Sequence, residues 1–306
     1  VWWAWGTIIH PYQGKQIAMS RIKLSMPLPP ELTEWLGDVF PAWLQLPQEA
    51  FYKMIPFNAA ESPIQIQYSE HAAEIGRSHI FANLNVLLTL ISEGRVCVDP
   101  DSTLTSDSLE LLLQTTHWPN YDYELIKGIS RPLHEGIIGP LDFLKALALE
   151  CDLIQIEEDR IEIRDNGLRM LKNQTDVALV RRVFEAIFSK VNPRNLTKLA
   201  HPWVQEQSGI MLWALSITAD KPRSAKELTR YCFVPPKQFF DHRLSTLDIY
   251  MRAVFLAPLT WLGLLETQTV EATDANVQGL LYKKTALFDQ FIQFDFERLQ
   301  PVERAN

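Results

Sequence analysis

The chain has 306 residues, 47% of them hydrophobic and 22% charged, with a formal net charge of −8. This composition can bury a substantial core and excludes intrinsic disorder, while the acidic balance opposes nonspecific nucleic-acid binding by the molecule as a whole. No run approaches the roughly 18 apolar residues of a membrane helix, so no membrane partner is expected.

The three cysteines, Cys97, Cys151 and Cys232, lie far apart and none forms a CxxC pair. A disulfide framework is therefore not expected, and each cysteine is read as a small apolar side chain in a reducing, cytoplasmic compartment. The NxT sequons at Asn173 and Asn195 are short enough to arise by chance. The start, Val1-Trp2-Trp3-Ala4-Trp5, is apolar but lacks the basic region and following apolar stretch of a signal peptide. It also lacks an initiator Met, so the chain is expected to be a fragment or a processed product.

Residues 1–78 read as an N-terminal arm. Pro27, Pro29, Pro30, Pro41, Pro47, Pro56 and Pro63 interrupt short apolar pieces such as Trp35-Leu36 and Ala42-Trp43-Leu44. No long helix passes through so many prolines, and the aromatic residues between them predict a segment draped over a body. From Ile80 the pattern changes. Ile80, Leu84, Leu87, Leu88 and Ile91 fall at helical spacing, with Gly94 as a stop. Val96-Cys97-Val98 predicts a short strand before the turn-like Asp99-Pro100-Asp101-Ser102. Ser106 is the expected N-cap of the next helix, which carries Leu109, Leu112 and Leu113. After an irregular connection over 115–139, Leu141, Leu144, Leu147 and Ala148 predict a helix of about three turns.

Residues 153–157 and 160–164 predict the two strands of a hairpin turning at Glu158-Asp159. Alternation places Ile154, Ile156, Ile161 and Ile163 on its buried face, so Ile156→Asp is expected to cost several kcal/mol. Asn166-Gly167 is expected to end the hairpin, with Leu168, Leu171, Val177, Val180, Val183 and Phe184 continuing as helix. A looser version of the same order follows. Ile210, Leu212, Trp213 and Leu215 predict a helix, and Ser224 caps a second one through Tyr231. A third runs from Thr246 to Leu262, kinked or shortened at Pro258. Leu264–Thr267 and Leu280–Lys283 predict strands around the polar loop Glu271–Gln278, and Leu287, Phe288, Phe291 and Ile292 resume an apolar helical face.

Three helices, a two-stranded hairpin and a helix, in that order, resemble the winged-helix (winged helix-turn-helix) superfamily. The residues that carry the resemblance are Phe143–Leu149, the hairpin Leu153–Ile163 and Asn166–Leu171, and in a second copy Phe255–Glu266 and Tyr282–Phe288. The expected fold is mainly α with small β-hairpins: tandem winged-helix-like units preceded by the Pro- and aromatic-rich arm. Unit 1 covers 79–175 with the inserted loop 115–139, and unit 2 covers 176–306 with a connecting helix. The resemblance implies DNA binding first, with a helix in the major groove and the wing on phosphate, and protein assembly second.

Charge divides the two units. From Asp152 to Asp165 the first hairpin carries six acidic residues against Arg160 and Arg164, a net of −4 that repels a phosphate backbone. Between Arg181 and Arg243 there are eleven Lys and Arg against five Asp and Glu, a net of +6 that leaves −14 for the remainder. Arg223, Lys226, Arg230, Lys237 and Arg243 are the candidate phosphate contacts, with Lys226 and Arg230 on one helical face and Phe233, Phe239 and Phe240 between them. A solvated face over aromatic core anchors is the plainer reading of the same residues.

No two of the seven histidines have HExxH spacing, and His71 and His79 with Glu70 and Glu74 suit an ordinary polar helix better than a metal. Gly-rich phosphate loops, GxGxxG and GxSxG are absent from the sequence, so no catalytic residue and no cofactor are expected. Trp118-Pro119-Asn120-Tyr121-Asp122-Tyr123 is an aromatic knot, read as pinning the long connection to its own domain or as a contact surface. Two functions stand nearly level: nucleic-acid binding, possible for DNA through the basic second half, and a protein–protein scaffold that uses the acidic hairpin and the arm. An enzyme whose site assembles from distant residues is the remote third.

Overall fold

The computed structural model describes residues 28–46, 48–54, 62–121, 133–240, 244–270 and 279–296. Prolines divide the arm as the sequence predicts. Its described pieces are α1 (Pro30–Leu36), a 3-10 turn (Ala42–Gln45) and α2 (Gln48–Lys53). Pro30 opens α1, where a missing N–H costs nothing because no intrahelical acceptor exists for it. Leu32 and Leu36 are buried, and Trp43, Leu44 and Leu46 join the common apolar core, which ties the arm to the body. The strand β1 (Ile64–Ile66) then pairs antiparallel with the last described strand, β7 (Ile292–Phe294), in the register Ile64↔Phe294.

The first half continues with α3 (Tyr68–Ile75) and α4 (His79–Ser92). Ile80, Phe81, Leu84, Leu87, Leu88 and Ile91 form the buried stripe of α4, and Gly94 follows with φ 66, the left-handed conformation that glycine reaches without cost. Val96–Val98 does not form a strand; a single bridge, Val98↔Leu104, closes the turn. The cap of α5 (Ser106–Thr115) is Thr105 rather than Ser106, because the Thr105 hydroxyl accepts from the Ser108 N–H at 3.3 Å. Next come α6 (Gly139–Glu150) and the hairpin of β2 (Ile154–Glu157) and β3 (Arg160–Ile163). Their pairing, Ile154↔Ile163 to Glu157↔Arg160, puts the turn at Glu158-Asp159 as expected, with Glu158 at φ 55.

Asn166-Gly167 does not terminate this hairpin. Both residues lie inside α7 (Asp165–Lys172), and a Cβ on Gly167 would stand 2.3 Å from the Leu153 carbonyl oxygen. Glycine is there so that the helix can press against the base of β2. Met170 is the buried side chain of α7, whereas Leu168 is exposed. The helix α8 (Val177–Ser189) is capped by Asp176, which accepts from the Ala178 and Leu179 N–H groups.

The second half holds α9 (Trp203–Glu206), α10 (Ser208–Thr218), β4 (Arg223–Ser224) and α11 (Ala225–Cys232). Every residue of α10 from Ser208 to Ser216 is buried, so this helix is apolar all round. The arm crosses it at Gly209, where a Cβ would lie 2.1 Å from the Met54 carbonyl oxygen. The third helix of this half is composite: α12 (Leu247–Tyr250), a π-helical segment (Met251–Leu256) and α13 (Ala257–Trp261). Pro258 does not end it. Proline lacks an N–H and its ring crowds the carbonyl four residues back, and the widened π turn just before it supplies the room.

The strands β5 (Leu265–Val270) and β6 (Gly279–Lys284) follow, and β6 lies between β4 and β5. The loop expected at Glu271–Gln278 lies outside the described residues. After α14 (Ala286–Phe291) the chain straightens, so Ile292 belongs to β7 and not to a helix. The architecture is mainly helical with sheets of two and three strands, and its buried apolar residues other than Leu32 and Leu36 of α1 form one cluster from Ala42 to Ile292.

Candidate nucleic-acid interface

The basic tract is organised by the start of α11. Ser224 accepts from the Glu227 N–H at 3.2 Å while the Glu227 carboxylate accepts from the Ser224 N–H at 3.0 Å, a reciprocal capping box. That cap fixes the direction in which the helix throws its cations. Arg223 sits just before it and is half-buried. Its Nε donates to the Thr218 carbonyl at 2.8 Å, its guanidinium stands 3.7 Å from Glu227, and it covers the Tyr231 ring at 4.8 Å. Arg223 is thus occupied inside the protein.

Lys226 is exposed and Arg230 half-buried, one turn apart on α11. Neither makes a direct hydrogen bond or ion pair among the described residues; the Arg230 Nε is buried without a partner. Both stand in the electrostatic reach of Asp248 on α12. Burial pushes the Asp248 carboxyl above its ordinary range, against the Thr229 hydroxyl and the charges of Lys226, Arg230 and Arg252, which pull it back. Lys237 is exposed on a separate 3-10 turn (Lys237–Phe239), away from the α11 pair in sequence. Arg243 lies outside the described residues. Phe233 and Phe239 are buried core anchors and Phe240 is half-buried, so these aromatics do not form an open stacking surface.

The sequence reading missed Arg252. It is the one exposed residue between Leu247 and Leu262, four positions after Asp248 on the same composite helix, and it too lacks a direct partner among the described residues. That spacing was its only sequence signal. The third helix of the first half, α6, is buried consecutively from Pro140 to Leu144 and again at Leu147 and Ala148, with Leu149 and Glu150 exposed at its end.

On the hairpin of the first half, Glu157, Glu158, Asp159 and Glu162 are exposed. Arg164 pairs with Asp152 at 2.7 Å and with Gln155 at 2.9 Å at the base of the hairpin. Exposed Arg160, opposite Glu157, is outnumbered at the tip by Glu157, Glu158 and Asp159, which leaves the tip acidic. The aromatic knot pins the connection, but onto the other half of the molecule. Trp118 is buried with its ring 4.6 Å from that of Trp261, and the Trp261 Nε1 donates to the Pro119 carbonyl at 3.5 Å. Asp122 and Tyr123 lie outside the described residues.

Among the described residues, no group of three His, Cys, Asp or Glu side chains is placed to hold a metal ion, and His71 pairs with Glu74 at 3.9 Å. Also among them, no helix is long and apolar enough to cross a membrane. Cys151 and Cys232 are buried, and burial pushes both thiols up to about 12. Cys97 departs from the apolar packing expected of it and is exposed. No family model, curated protein or solved structure matches this chain.

Proposed function

We propose that the chain is a non-catalytic protein–protein scaffold built from two winged-helix-like units, 79–175 and 176–306, behind the arm 1–78. The order of helices and hairpin in each half supports the units. The burial of both third helices carries the choice of scaffold over duplex reader. A groove-reading helix needs a run of exposed side chains on one face. Instead α6 is enclosed from Pro140 to Leu144, and Arg252 alone is exposed between Leu247 and Leu262. The acidic hairpin tip, with Glu157, Glu158, Asp159 and Glu162 exposed, suits a basic partner surface and speeds its encounter. Exposed Phe40 and Tyr52 on the arm add apolar contact area.

One observation favours a second reading, nucleic-acid binding through phosphates alone. Lys226, Arg230 and Arg252 gather around one carboxyl, Asp248, whose own ionisation is opposed by burial. Anisotropy of a labelled duplex and a labelled single strand, with salt varied from about 20 to about 200 mM, separates the two. The scaffold reading expects no binding that depends steeply on salt. It fails if affinity falls steeply with salt and Lys226→Ala/Arg230→Ala/Arg252→Ala flattens the duplex slope by about 0.9 for each lost contact. Arg223 is left intact in that variant because it holds the fold.

A further inference from the structure

A cavity of about 360 Å³ lies between the composite third helix of the second half and the connection at Pro119–Tyr121. That volume falls within the usual range of small-molecule pockets. Its space comes from Ala253 and Ala257 on the helix, where longer side chains would fill it. The π segment Met251–Leu256 brings Arg252 and Ala253 to the same wall, so a cation and an opening occur side by side. Single π turns inside helices recur at functional sites.

The walls are held before any ligand arrives. Trp118 packs edge-on against Trp261, and the Trp261 Nε1 bonds to the Pro119 carbonyl. Asn120 takes the left-handed conformation, φ 62, and its amide donates to the Thr267 hydroxyl at 3.3 Å, which ties the connection to β5. A pocket fixed in this way loses little ordering entropy on binding. The aromatic side chains of Tyr121, Trp261 and Tyr282 line it.

Its charge is selective. Arg252 is the charged residue among those that line the cavity, and it has no direct partner among the described residues. Both phenols keep their protons at neutral pH. Burial raises Tyr121 to about 12, with Asp142 adding to the effect, and burial also raises Tyr282, against the pull of the Arg252 charge. They offer hydroxyl donors and no negative charge.

We propose that this cavity binds a small planar organic anion, an aromatic carboxylate whose ring lies among Tyr121, Trp261 and Tyr282 and whose charge meets Arg252. The site is independent of the scaffold reading and stands or falls by itself. Calorimetric titration of the whole chain with 1-naphthoate, and with the uncharged 1-naphthamide, tests it. Naphthoate should bind with one equivalent and about ten-fold or more tighter than the amide, the usual margin of a charge-assisted hydrogen bond. Arg252→Met keeps the apolar stem of an exposed side chain and should lower naphthoate affinity to that of the amide. Ala257→Leu should remove both ligands, with circular dichroism and the melting temperature checking that each variant folds. The proposal is overturned if naphthoate gives no heat at millimolar concentration or if the amide binds equally well. It is overturned equally if either folded variant leaves naphthoate binding unchanged.

Discussion

Asn83 is almost fully buried, and both ends of its amide are used. Its Nδ2 donates to the His117 carbonyl at 2.8 Å, and its Oδ1 accepts from the His117 N–H at 2.9 Å. A buried amide with both ends satisfied fixes the start of the long connection against α4, and it leaves the His117 ring 5.2 Å from that of His79. Burial, and secondarily His117, holds the His79 imidazole below its ordinary value of about 6.5. A base with a depressed folded pKa contributes stability that is fully present above the unfolded value and lost as pH falls through the folded one. Stability to urea should therefore decline on acidification below about pH 6.5, and the His79 proton resonance should titrate with a midpoint below that value. In His117→Ala the midpoint should rise only part of the way back, because burial is the larger cause. A wild-type midpoint at or above the ordinary value would sink this account.

At the scale of elements, the first hairpin separates what alternation reveals from what it hides. Ile154 is 2% exposed, whereas Ile156, Ile161 and Ile163 are only half-buried. Ile154→Asp should cost about 3 kcal/mol or more, since it places a carboxylate where no partner exists. Ile156→Asp should cost nearer 1 kcal/mol, less than alternation alone implies, because water still reaches that position. Urea denaturation of the two variants checks the order, and equal losses would show that the face is uniformly buried. The strands and their turn were legible because a period of two and a polar Glu158-Asp159 step are local signals. Burial depth was not, because it depends on how far α4 and α6 reach over the sheet. The same limit explains Gly167, which looks like a terminator in sequence but serves a close approach to Leu153. It also explains Pro258, whose crowding a π turn absorbs without ending the helix.

At the scale of the whole molecule, the candidate site was half legible. The basic residues of α11 and their Ser224 cap could be read from the chain. The internal use of Arg223 rests on partners close in sequence, Thr218, Glu227 and Tyr231, and Arg252 follows Asp248 at i,i+4. The meeting of Arg252 with the connection at Pro119–Tyr121 and the burial of both third helices depend instead on tertiary contacts that no local pattern carries. Those contacts also bear on how the two halves of the chain unfold. The buried apolar cluster runs without a break from Ala42 to Ile292, β1 of the arm pairs with β7, and Trp118 of one half meets Trp261 of the other. Units joined in this way cannot expose one core without exposing the other. Calorimetry should then show a single transition in which the van't Hoff and calorimetric enthalpies agree, although the chain is long enough for two domains. Gly209→Val tests the arm's share of that cooperativity. Its side chain would meet the Met54 carbonyl, a backbone atom that cannot move aside cheaply, so the arm must lift from α10. The whole transition should shift down by several degrees while remaining single, as expected for roughly 2 kcal/mol or more of overpacking in a protein of this size. Two resolved transitions in the wild type would mean that the two halves fold independently. An unchanged melting temperature in Gly209→Val would mean that the arm contributes nothing to the common core.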